Sequence, residues 1–174
     1  MKRFRGVALL LMLALAVAAC DDDNPAAPSD PNSFTLTSTL TPANEVPPVT
    51  NADASGSGTV TITLVVTRDA ANAITGGTAN FSVNLTGFPA NTTLTGAHIH
   101  PGAAGVNGGV VVNTGLTNGE VVLANGAGTF TKNGIAVNAA NANGIISGAS
   151  GFYFNVHTTL NPGGAVRGQL AIQP

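Results

Sequence analysis

Three histidines carry most of the chemistry available to this 174-residue chain. Two of them stand two apart in His98-Ile99-His100. Alternate residues of a strand project to one face, so both imidazoles should leave it together, in the company of Leu94 and Gly96. Such a pair can chelate copper or zinc, because imidazole nitrogen suits both metals. The third, His157, closes Tyr153-Phe154-Asn155-Val156-His157 and shares its face with Tyr153 and Asn155, while Phe152, Phe154 and Val156 point into a core. If the two strands are neighbours, three nitrogens converge on one ion and leave a coordination position open. The same rings could instead hydrogen-bond loop backbone, and the long loop from Pro101 to Gly109 needs such support. The residues alone leave both readings standing.

Three further side chains, Glu45, Asn155 and Arg167, are candidates for structural or binding roles. Glu45 is a rare acid in the stiff segment Thr41-Pro42-Ala43-Asn44-Glu45-Val46-Pro47-Pro48-Val49, where it could accept from Arg167 or from a histidine N–H. Arg167 alternates with Gln169, opposite Val166, Leu170 and Ile172, and a structural contact with Glu45 or with a carbonyl-rich loop is expected of it. No serine near the histidines completes a triad, and no Gly-rich stretch links a strand to a helix. No catalytic residue is assigned.

The elements that must position these groups are strands. Phe34, Leu36 and Leu40 alternate with threonines; Val60, Ile62, Leu64 and Val66 alternate with Thr59, Thr61, Thr63 and Val65. Phe81, Val83 and Leu85 alternate with Asn80, Ser82, Asn84 and Thr86. A period of two with polar β-branched partners predicts a sheet with one wet face. Further strands are expected around 94–100, 110–113, 120–123, 128–131, 151–158 and 165–172, punctuated by Gly-Gly and Asn-Gly pairs that favour tight turns. One short helix is expected within 135–150, its Ala and Ile spacing weakened by Asn and Gly. The sum is an all-β antiparallel Greek-key sandwich or barrel.

The chain begins Met1-Lys2-Arg3-Phe4-Arg5 and runs apolar from Val7 to Ala19, the pattern of a secretory signal too short for a spanning helix. Leu15-Ala16-Val17-Ala18-Ala19-Cys20 resembles the lipobox of bacterial lipoproteins. It predicts cleavage after residue 19, lipidation of Cys20 and a membrane anchor, with residues 20–33 as an acidic, proline-containing tether. The expected mature chain keeps Arg68, Lys132 and Arg167 against eight acidic residues. That balance cannot neutralise a phosphate backbone, so nucleic acid is excluded as a partner. Without a second cysteine there is no disulfide framework, and residues 34–174 must stand on their own core.

Four blocks carry a family resemblance: Leu40–Val49, then Gly96-Ala97-His98-Ile99-His100-Pro101-Gly102 with Gly105, Asn107 and Gly108, then Tyr153-Phe154-Asn155-Val156-His157-Thr158, then Pro162–Leu170. In this order they resemble the CHRD (chordin-type) domain over about residues 34–172. Phe154 and Ala165 depart from the common pattern, which often has valine and an acid there. The resemblance implies an extracytoplasmic, non-enzymatic binding or structural module whose protein or small-ligand partner is unknown. Leu85-Thr86-Gly87-Phe88 with Gly96–His100 is similar, more weakly, to a strand of copper-zinc superoxide dismutase. That likeness implies the sandwich and not the activity, since the chain lacks the dismutase's further histidines, zinc-binding Asp and disulfide.

Overall fold

The computed structural model describes residues 30–174; the expected signal segment, Cys20 and the tether through residue 29 lie outside them. Ten strands, β1 (Ser33–Leu40), β2 (Ser57–Arg68), β3 (Ile74–Thr86), β4 (Thr92–Pro101), β5 (Val112–Asn113), β6 (Val122–Leu123), β7 (Gly128–Asn138), β8 (Phe152–Thr158), β9 (Val166–Gln169) and β10 (Ala171–Ile172), and the helix α1 (Ala139–Ser147) make up the described fold. They form two antiparallel sheets, ordered β10-β1-β2-β3-β7 and β5-β4-β8-β9, with β6 on the edge of β4. The all-β sandwich expected from the alternation is what the chain adopts.

The alternation explains the packing. In β2 the odd-numbered threonines face outward while Val60, Ile62, Leu64 and Val66 are buried. Their register partners in β3, among them Ala79, Phe81 and Val83, face the same interior, as does Leu85. Across the gap, Ile99, Phe154, Val156 and Val166 of the smaller sheet complete one core, with the Phe81 and Phe154 rings stacked 5.8 Å apart. Burying a side chain of this size contributes roughly 1.5–3 kcal/mol, so the interleaved row between the sheets is the main stabilising element.

Three local results depart from simple periodicity. The helix covers only Ala139–Ser147, because Ile135–Asn138 are still paired with β3. Asn138 caps the helix by accepting from the Asn141 N–H at 2.8 Å, and Ala142 and Ile145 pin it to the core. The expected strand at 165–172 is two strands in different sheets. β9 pairs with β8, the chain dips inward at the buried Leu170, and β10 pairs with β1. Gly168 makes this crossing feasible, since a Cβ there would sit against the Thr39 carbonyl.

The third departure bears on the site. Leu94 was expected to share the face of His98 and His100. The β4–β8 register shifts between Leu94 and Gly96, a bulge that inverts the alternation. Leu94 therefore joins Ala97 and Ile99 in the core, and Gly96, His98 and His100 turn to the opposite face.

Candidate metal centre

The functional side chains stand on the outer face of the smaller sheet, in rungs set by strand pairing. His98 on β4 is opposite Asn155 on β8, which is opposite Arg167 on β9; the neighbouring rung is His100, Tyr153 and Gln169. His157 pairs with Gly96, one rung the other way. Since the inward residues of these strands fill the core, this polar set can only face out. Loops then cover it: Glu45 is 5% exposed and Arg167 1%.

The three imidazoles converge. One ring nitrogen from each of His98, His100 and His157 lies within 4.8 Å of the other two. The ring centroids are 4.9 Å apart for His98 and His157, 5.7 Å for His98 and His100, and 6.1 Å for His100 and His157. Hydrogen bonds define the tautomers. His100 Nδ1 is 2.9 Å from the Gly108 carbonyl and His157 Nδ1 is 3.0 Å from the Pro162 carbonyl. A carbonyl can only accept, so both rings carry their proton on Nδ1 and turn a lone pair on Nε2 toward the cluster. His98 Nδ1 is 3.0 Å from His157 Nε2, and it must be the donor there. The Nε2 of His100 is buried and has no hydrogen-bonding partner among the described residues.

Burial pushes all three imidazoles below their ordinary pKa, His98 to about 4, where the neighbouring His157 and His100 add to the effect. For His100 and His157 the bonds to carbonyls pull partly the other way. The triad is thus neutral near pH 7, the protonation state a metal requires.

Glu45 and Arg167 do not form a direct ion pair. Arg167 takes the carbonyl-rich alternative: its Nε donates to the Asn44 carbonyl at 2.6 Å, and its Nη1 to Asn107 Oδ1 at 2.8 Å and the Val106 carbonyl at 3.4 Å. Its guanidinium also lies 4.4 Å from the centre of the Tyr153 ring, which stacks on His100 at 4.9 Å with a 5° interplanar angle. Arg167 thereby ties down the loop whose Gly108 carbonyl orients His100. Glu45 is pushed up to about 7 by burial, with Arg167 and then Asn155 acting against that rise. Glu45 Oε1, Asn155 Oδ1 and Arg167 Nη2 join His100 Nε2 as buried atoms without a partner among the described residues. All four belong to this one face, an unusual concentration, since buried polar atoms are normally paired.

Sequence reasoning missed the brace behind His157. Asp53, almost fully buried, accepts at Oδ2 from Thr158 Oγ1 and from Asn161 Nδ2, each at 2.6 Å. Asn51 and Asn161 exchange side-chain bonds of 2.8 and 3.1 Å. This holds the turn that presents the Pro162 carbonyl to His157. The scarcity of acids in the chain was the available signal. Gly96 shares the histidines' face, and a Cβ there would meet the His98 ring at 3.0 Å.

The family model described as the CHRD domain matches residues 36–170. No curated protein matches the chain.

Proposed function

Since the chain belongs to the CHRD domain family, we propose that it is a non-enzymatic binding module whose ligand is a transition-metal ion, zinc or copper, held by His98, His100 and His157. The observation that carries this reading is the convergence of three neutral ring nitrogens within 4.8 Å. Tetrahedral zinc with bonds of ~2.0–2.1 Å needs donor nitrogens about 3.3 Å apart. The His98 Nδ1 and His157 Nε2, at 3.0 Å, are already near that spacing, and His98 ligates once its proton moves from Nδ1 to Nε2, which leaves both facing nitrogens with a lone pair for the ion. An all-nitrogen set disfavours calcium and magnesium, which seek oxygen. The carbonyl partners of His100 and His157 are the outer-shell contacts that orient imidazole ligands and raise their basicity.

A purely structural role for the histidines accounts for the bonds to Gly108 and Pro162. It leaves the buried, unpartnered Nε2 of His100 without a purpose. Equilibrium dialysis of the purified full-length chain against zinc, with metal quantified by mass spectrometry, separates the readings. The expected result is one tightly held ion per chain; binding far below one equivalent, unchanged when the histidines are replaced, sinks the metal assignment.

The residues before the domain support the further proposal that the protein is exported and held on a membrane through lipid on Cys20. Cys20→Ser is expected to move the protein from the membrane to the soluble fraction on cell fractionation. Unaltered partitioning speaks against the anchor.

A further inference from the structure

We propose that the three imidazoles are unequal ligands: His100 and His157 form a fixed pair, and His98 is a movable third ligand, so that the site holds Cu(I) on the pair alone but needs all three to hold Zn(II). This inference rests on the metal-binding reading of the triad and adds to it the ordering of the ligands and the metal each subset accepts.

The asymmetry lies in what holds each ring. His100 is fixed on two sides: its Nδ1 bonds to the Gly108 carbonyl and its ring stacks flat on Tyr153. Tyr153 is itself held, accepting from the Gly108 N–H at 3.2 Å and lying under the Arg167 guanidinium. His157 is fixed through the Pro162 carbonyl, in the turn that Asp53 and Asn161 clamp. Both are buried. His98 is half-buried, and no backbone carbonyl accepts from its ring. Its hydrogen-bonding partner is His157 Nε2, the very lone pair a metal on His157 would take. Metal binding therefore preserves the contacts that fix His100 and His157 and breaks the one that fixes His98.

The His98 ring rests over Gly96, two residues back on the same strand. A Cβ on Gly96 would stand 3.0 Å from His98 Cε1 and 3.4 Å from Nε2. The missing side chain thus gives the ring its space.

Metal chemistry turns this into selectivity. Cu(I), a filled-shell monovalent ion, is stable with two nearly opposed nitrogens, whose span at bonds of ~2 Å is about 4 Å. The His100 and His157 donors lie no more than 4.8 Å apart, a limit that accommodates that span. Zn(II) in protein sites is almost always four-coordinate, so losing one of three protein ligands removes most of its affinity.

The test is competition titration of the full-length chain with Zn(II), and with Cu(I) under anaerobic ascorbate, against chromophoric chelators. His98→Ala is expected to weaken Zn(II) binding by about 100-fold or more and Cu(I) binding by less than about 10-fold, whereas His100→Ala and His157→Ala lose both. Gly96→Ala keeps all three imidazoles and crowds only His98. It should weaken Zn(II) by about 10-fold and leave Cu(I) unchanged, which guards against a His98→Ala chain that fails to fold. Equal loss of Cu(I) in His98→Ala and His157→Ala overturns the ranking, as does undiminished Zn(II) binding in His98→Ala and Gly96→Ala. Failure of the unaltered chain to bind either metal removes the metal reading itself, and the ranking with it.

Discussion

Arg167→Ala is expected to destabilise the domain by about 3–5 kcal/mol, read as a lower urea midpoint with the slope unchanged. Arg167 is among the largest fully buried side chains of the fold. Its removal strips the donor from the Asn44 and Val106 carbonyls and from Asn107 Oδ1. These acceptors are only partly buried, so each lost bond costs about 1 kcal/mol, the low end of the range, and the cavity over Tyr153 adds to that. Relaxation of the covering loops toward water offsets part of the sum. Arg167→Lys should recover only a fraction, because one ammonium cannot reproduce a planar group that donates from Nε and Nη1 while lying over a ring. A loss below about 1 kcal/mol would mean that the loops do not depend on this cation.

Glu45→Gln is expected to stabilise the domain at pH 8, and the gain should disappear by about pH 4.5. In the folded protein Glu45 titrates near 7, raised mainly by burial; in the unfolded chain it returns to the ordinary carboxylate range. Between those values the folded state binds the proton that the unfolded state releases. For this group, then, stability rises as pH falls from 7 to about 4.5, and above 7 the buried carboxylate is a full liability. Glutamine keeps the shape and removes the charge. The gain at pH 8 should be about 1–2 kcal/mol, less than the whole shift implies, because solvent screens part of the field. His98 works in the opposite direction. Its folded pKa of about 4 lies below the unfolded value, so its contribution is present above about 6.5 and is lost as pH falls toward 4. The wild-type stability curve should therefore look flatter across pH 4–7 than that of Glu45→Gln, which retains only the histidine loss. Urea melts of both proteins at pH 8, 6 and 4.5 provide the check; a destabilised Glu45→Gln at pH 8 would show that the carboxylate is valuable in its ionised form.

Much of the architecture could be read from spacing, and the reason is physical. A sheet with one wet face imposes a two-residue period, and the threonines of β1 and β2 kept that period visible. His98 and His100 were recognisable as a pair because strand geometry dictates which residues share a face, whereas the place of His157 beside them hung on the pairing of β4 with β8, which spacing does not fix. The bulge before Gly96 left no mark in composition, so Leu94 was placed on the wrong side. The division of 165–172 between two sheets was equally hidden, since Val166, Leu170 and Ile172 fit one strand or two. Loop closure was beyond reach for the same reason. That Arg167 would bond Asn44, Val106 and Asn107, and that Asp53 would clamp the turn after Thr158, depends on chain paths spanning about 60 to 120 residues of separation.

The chain contains a single tyrosine and no tryptophan, and that tyrosine lies flat against His100. Its phenol is consequently the one strong ultraviolet chromophore in the molecule, built into the triad's own wall. Emission excited at the tyrosine band reports on this spot and nowhere else, so a quenching ion at the neighbouring imidazole would dim the entire signal instead of a diluted fraction of it. The protein carries its own optical reporter, with no label to attach.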